Sequence, residues 1–257
     1  MSKKGLFSVI LVLALGFSAC QEDDVSIPEP STLGIKILAL NTSYTLPVAK
    51  SITKSAVAEV PSMEWNTVQM VVSEIEMEAE MKSLVTQNDS IEIEFEWNGP
   101  QQTNLLDSTM SFGNFVLQPG FYDEIELEIK GKKEDAPSSP VFYMNGDYTN
   151  EQEEVIPVIV EVHSDMEFKT EKESVEVSER NMEITSYIQL YLDELFSNIT
   201  PEELNNANLT GEVLIISAQN NTDLYQEVLG KLLDDHESEY WHNGEHYDDD
   251  DDDDDSN

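Results

Sequence analysis

One thiol, four imidazoles and 53 carboxylic acids are the groups with which this 257-residue chain could do chemistry. Nucleophilic catalysis needs a Ser, Cys or Thr held against a base. The thiol is Cys20, in FSACQEDD, and bases are scarce. His163, in VEVHSDM, is the sole histidine in the central part of the chain. It falls on an expected strand, where a lone imidazole reads as a surface or edge residue. No GxSxG, HExxH or phosphate-loop pattern occurs. Paired carboxylates would serve glycoside hydrolysis, but 53 acids offer so many pairs that none is singled out. No catalytic residue is assigned, no enzyme activity is expected, and a glycan-acting enzyme stands last among the readings.

The metal question is better posed. His242 and His246 are four apart and would share one face of a helix. With His236, Glu239 and Glu245 they could hold a transition metal, although Asn243-Gly244 between them favours a turn. Beyond them Asp248, Asp249, Asp250, Asp251, Asp252, Asp253, Asp254 and Asp255 offer oxygens to a hard cation without a defined cage. Calcium or another divalent cation is the one cofactor class these residues admit, and none is required. The competing reading is a charged, solvated tail. The loop NGDYTNEQEE, Asn145 to Glu154, is also oxygen-rich but lacks calcium-loop spacing.

The net charge is −40, with Arg180 the sole arginine. Nucleic acid needs a basic footprint, so it is excluded as a partner. Phosphate ligands and anionic lipid surfaces are disfavoured for the same reason. Cations, cationic surfaces and neutral ligands such as glycans are left. Charge this far from zero keeps a protein soluble and strains its compact state by self-repulsion, which salt relieves.

The elements that must position these groups follow from periodicity. SIEIEFEW puts Ile91, Ile93, Phe95 and Trp97 on one face and Glu92, Glu94 and Glu96 on the other. DEIELEIK repeats the device with Ile125, Leu127 and Ile129. WNTVQMVVSEIEMEAEM carries two apolar registers, Val68, Met70 and Val72, then Ile75 and Met77, which implies a bulge between them. GIKILALNTS, EEVIPVIVEV, ESVEVSE and NMEITSYIQLYL read as further strands. In the last, Met182, Ile184, Ile188, Leu190 and Leu192 alternate. Turn signals fall at Asn98-Gly99-Pro100, Pro119-Gly120, Lys130 to Pro137 and Asn145-Gly146-Asp147. Period two with short strands predicts a mainly β chain, an antiparallel β-sandwich over 34–197. A strand and helix extension follows over 198–233. TPEEL has Thr200 as N-cap, Pro201 at N1 and Glu203 at N3; GEVLIIS is one more strand. NTDLYQEVLGKLLDD is helical with Thr222 as cap and Leu224, Tyr225, Val228, Leu229 and Leu232 on one face. From 234 to 257 periodicity stops, and a disordered His- and Asp-rich tail is expected. The rows Glu92, Glu94, Glu96 and Glu124, Glu126, Glu128 are either a solvated face that resists aggregation or a surface that gathers divalent cations. Trp65 and Trp97 are candidates for exposed binding aromatics, or for core.

The N-terminus gives an address. Lys3 and Lys4 precede twelve uncharged residues, Leu6 to Phe17, and then Ser18 and Ala19. Basic, apolar and then small is a secretory signal, and twelve residues are too few to cross a bilayer, which takes about 20. Residues 1–19 with Cys20 resemble a bacterial lipoprotein signal, which implies that Cys20 is acylated and becomes the first mature residue. Gln21, Glu22, Asp23 and Asp24 look like the acidic export tag of Bacteroidetes lipoproteins. Residues 20–33 read as a lipid-anchored tether, and loss of Lys3 and Lys4 takes the net charge to about −42.

Across about 34–197 the runs WNTVQMVVSEIEM, LLDSTM, LQPGFYDEIELEIK, PVFYMNGDY and YIQLYLDELF together resemble DUF4382, a family of bacterial lipoprotein domains. Leu117, Pro119, Gly120, Tyr122, Ile125 and Leu127 match its central turn and strand. It implies a β-sandwich at the cell surface and no known activity. The expected function is that of a lipid-anchored, non-catalytic protein of the outer membrane, on the cell surface or the periplasmic face. Its role would be structural, adhesive or ligand-binding toward glycans or envelope proteins; the alternative is a divalent-cation-binding lipoprotein.

Overall fold

The computed structural model describes residues 31–46, 60–82, 90–109, 111–177, 183–233, 238–242 and 245–246. The signal, Cys20, the acidic tag, His236 and the aspartate run lie outside them.

Strand β3, Ser62–Lys82, is the spine. Its first part pairs with β2 (Ser43–Thr45) on one edge and β7 (Phe142–Thr149) on the other. Its second part lies between β4 (Ser90–Asn104) and β6 (Gly120–Gly131). From β6 the sheet continues to β9 (Met166–Val177). From β7 it continues through β8 (Val155–Val162) and β12 (Val213–Ser217) to the short β11 (Leu209–Thr210). The second sheet is ordered β14 (Glu245–His246), β13 (Ser238–His242), β10 (Glu183–Tyr191), β1 (Ser31–Leu40) and β5 (Phe112–Leu117). Most pairs are antiparallel, as expected, but β1–β10 and β8–β12 run parallel, so both sheets are mixed.

Alternation decides what is buried. Ile75, Met77 and Ala79 of β3 and Ile125, Leu127 and Ile129 of β6 point inward. Leu33, Ile35 and Ile37 of β1, Phe115 and Leu117 of β5, and Ile188 and Leu190 of β10 complete the sandwich core. Aromatic edge contacts tie the two sheets. Phe95 meets Phe115 at 5.7 Å and Trp97 meets Phe112 at 5.3 Å. The other half of the long sheet is covered by helices: α1 (Leu192–Leu195), α2 (Pro201–Asn205) and α3 (Thr222–Leu232). Leu195, Phe196, Leu204, Tyr225 and Val228 are buried there, and Trp65 packs against Phe196 at 5.3 Å. Trp65 is thus core and Trp97 largely so; neither is an exposed binding aromatic.

Two expected turns are strand. Asn98-Gly99-Pro100 lies within β4, where the β3 ladder jumps from Glu74↔Asn98 to Val72↔Gln101. This is the bulge that the two registers of β3 implied. Asn145-Gly146-Asp147 lies within β7, with Gly146 opposite Trp65 beside a second irregularity. A Cβ on Gly146 would stand 2.2 Å from the Glu64 carbonyl oxygen and 3.0 Å from Trp65 Cα. The glycine is there for close strand approach, not for a turn. The loop read as oxygen-rich closes on itself. Asn150 Oδ1 accepts from the Gln152 and Glu154 amides, and its Nδ2 donates to Glu154.

The helix reading holds for α2, whose Thr200 and Glu203 form a complete capping box. For α3 the N-cap is Asn221, not Thr222, and its side chain makes no cap bond. β1 begins at Ser31, inside the stretch read as tether. Within the stretch read as tail, Ser238–His242 runs antiparallel to β10 and pairs with Glu245–His246. Among the described residues no helix is long and apolar enough to cross a membrane.

Gly146→Ala forces β3 and β7 apart. We expect it to cost about 3 kcal/mol, at the upper end of overpacking penalties, read as a lower urea midpoint with unchanged slope. A midpoint equal to the parent's would show that the strands yield there freely.

Candidate functional site: the carboxylate face

The outer face of β4, β3, β6 and β9 is a grid of acids. Register sets its rows. Glu94, Glu78, Glu126 and Glu171 stand side by side across four strands, and Glu92, Glu80, Glu124 and Glu173 form the next row. A third row holds Glu96, Glu76, Glu128 and Lys169; a fourth holds Asn98, Glu74, Lys130 and Glu167. The sequence pattern revealed two of the four columns, those of β4 and β6. The β3 column, Glu74 to Glu80, was hidden by the bulge at Val72, and that of β9 by interleaved lysines. Both become visible once register places them between or beside the legible ones.

The cations are gathered at one end. Lys130 pairs with Glu76, with Glu128 at 2.9 Å and with Glu74 at 3.4 Å. Lys132 pairs with Glu74, and Lys169 with Glu126 at 2.6 Å and Glu128 at 3.6 Å. At the far end Lys82 pairs with Asp123 and lies over the Phe121 ring, 4.9 Å from its centre. The hydrogen bond from Lys132 holds Glu74 below the ordinary glutamate range, and that from Lys130 does the same for Glu128. In the two rows made of glutamate alone the sign reverses at Glu78 and Glu124. Partial loss of water, then the charges of Glu126, Glu94, Glu92 and Glu128, push Glu78 up. The charge of Glu171, then lost hydration, then Glu80, push Glu124 up. Carboxylate oxygens of Glu124, Glu126 and Glu171 lie within 4.8 Å of one another, close enough to share one cation.

The other sequence candidates are dispersed. His163 lies just past β8, with Nδ1 3.4 Å from Lys133 Nζ and Nε2 3.5 Å from Glu161. His242 and His246 fall on β13 and β14, at neighbouring ladder positions that pair with Glu245 and Trp241. They are therefore not on one helix. The residues carrying the family resemblance span the β5–β6 connection, which passes from one sheet to the other. Leu117 ends β5, Gln118 and Pro119 connect it to Gly120 at the start of β6, and Tyr122 is buried with its hydroxyl donating to the Gln118 carbonyl at 2.8 Å. No family model, curated protein or solved structure matches the chain.

The opposed shifts fix a pH response. Just above the ordinary glutamate value of 4.5, the folded chain holds protons on Glu78 and Glu124 that the unfolded chain does not. Stability therefore rises as pH falls through that window. Below 4.5 the unfolded chain takes protons that Glu74 and Glu128 refuse, and stability falls. We expect the melting temperature at low salt to pass through a maximum near the ordinary glutamate value and to flatten in about 0.5 M salt. A melting temperature that only falls from neutral pH downward would contradict this balance.

Proposed function

We propose that this protein is a lipid-anchored, non-catalytic component of a bacterial outer membrane. It acts in envelope structure, adhesion or ligand binding by presenting the carboxylate face to cations and cationic surfaces. The observation that carries the reading is the pair of rows made of glutamate alone, eight in register on one exposed sheet face, of which Glu126 pairs with Lys169. Directly opposed like charges destabilise a sheet by roughly 0.2–1 kcal/mol per pair. A surface that maintains them is poised for anything that brings positive charge. The lipoprotein-like signal ending at Cys20 supplies the anchor, and two or more acyl chains make such attachment stable.

The trio Glu124, Glu126 and Glu171 favours a second reading, divalent-cation binding. Its oxygens are already convergent, and a bound cation would add positive charge beside Lys169, which already pairs with Glu126.

Two measurements test these readings. Cys20→Ala should move the protein from the detergent-soluble membrane fraction to the soluble fraction; unchanged partitioning would remove the anchor from the account. For the cation, calcium at ten times its Kd should add about 1.4 kcal/mol, a rise of roughly 3–5 °C in melting temperature for a domain this size. Sodium chloride at equal ionic strength should give less, and Glu124→Gln with Glu171→Gln should erase the difference. Equal responses to calcium and sodium would reduce the effect to screening.

A further inference from the structure

At the helical end the turn after α2 and the start of α3 border an open surface cleft of about 770 Å³. That is within the range of about 300–1,000 Å³ typical of small-molecule sites. Glu202, Asn206 and Asn208 line one side; Gln219, Thr222 and Asp223 line the other, above the buried Leu224.

The walls are tied in place. Asn221 takes a left-handed conformation, φ 50° and ψ 53°. Its Oδ1 accepts from the Asn208 amide at 2.8 Å, and its Nδ2 donates to the carbonyls of Asn208 and Ile215 at 2.9 and 2.8 Å. That one side chain fastens the α2 turn to β12 and to the start of α3. The Tyr148 hydroxyl donates to Asn205 Oδ1 at 3.1 Å and holds α2 on β7. Glu203 is spent in the capping box, accepting from the Thr200 amide and hydroxyl.

Against these spent groups, no hydrogen bond to a described residue is made by the side chains of Asn206, Gln219, Thr222 or Asp223. Because Asn221 turns its side chain away from the helix, the first amides of α3 also lack a side-chain cap. The lining therefore mixes donors and acceptors and contains no Lys, Arg or His. An anion would meet Glu202, Glu203 and Asp223. An apolar ligand would strand the amides without partners. A cation wants several convergent oxygens, yet among the described residues the acid trio meeting that demand is on the sheet face. A neutral ligand whose neighbouring hydroxyls both donate and accept fits the set.

We infer that the α2–α3 cleft is a saccharide-binding site, in which Asn206, Gln219, Thr222 and Asp223 hold the hydroxyls of a neutral sugar. No aromatic residue lines the cleft among the described residues, so stacking does not add to affinity, and binding is expected in the millimolar range. The inference is independent of the anchor and of the carboxylate face, whose failure is read in fractionation and in the calcium melts.

The test titrates the full-length, detergent-purified protein with maltotetraose, cellotetraose, mannotetraose and chitotetraose, followed by saturation-transfer NMR and calorimetry. At least one should saturate below about 10 mM. Asn206→Ala and Asp223→Ala, both at exposed positions, should each weaken it about tenfold, the loss expected for one good hydrogen bond, with unchanged melting temperature. Glu124→Gln should leave sugar binding intact. Three results would overturn the site: no binding by any of the four at that concentration, full binding in both cleft variants, or a calcium heat lost in those variants with no sugar response.

Discussion

The ladder of β3 is the constraint on which the rest depends. A strand of 21 residues must pair its amides and carbonyls on both edges along its length. It does so with β2 and β4 on one side and with β7 and β6 in succession on the other. Because one strand serves both halves, the sheet-on-sheet sandwich and the helix-covered sheet share one apolar core. The breaks at Trp65/Thr67 and Val72/Glu74 let so long a strand twist and change partners without exposing its buried side. Gly99 and Gly146 sit at those breaks because a Cβ at either would strike a carbonyl of the spine.

The acid grid is the other side of the same ladder. Once Ile75, Met77 and Ala79 are committed inward, Glu76, Glu78 and Glu80 must face water beside the glutamates of β4 and β6. The sheet bears that repulsion because burial on the inner face outweighs a few tenths of a kcal/mol per like-charge pair. Dense charge also discourages edge pairing with another chain. Lys130, Lys132 and Lys169 together compensate one end, and Lys169 reaches Glu126 in the neighbouring all-glutamate row. The uneven arrangement makes the face an electrostatic feature with a location, not a diffuse consequence of net charge.

The helical end has a different chemistry. Its groups are amides, hydroxyls and a few carboxylates, and its order comes from side-chain hydrogen bonds, chiefly those of Asn221 and Tyr148. The sheet face concentrates carboxylates, whereas the helical end sets amides and hydroxyls beside Glu202 and Asp223.

Sequence by itself determined the class of fold and the facing of its clearest strands. Alternation at Ile125, Leu127 and Ile129 needs no partner to be read, since period two and burial on one side imply each other. It also determined the capping box of α2, a local device complete within four residues. Turn chemistry misled at Asn98-Gly99-Pro100 and Asn145-Gly146, because glycine serves both turns and close strand approach, and only the neighbouring strand shows which. Tertiary structure alone decided the parallel pairing of β1 with β10 and the merging of separate glutamate columns into one face. It alone decided the α2–α3 cleft, which Asn208 and Asn221 build across 13 residues. Pairing, register and enclosure are relations between distant segments. They are set by which surfaces bury each other, and no local pattern carries that information.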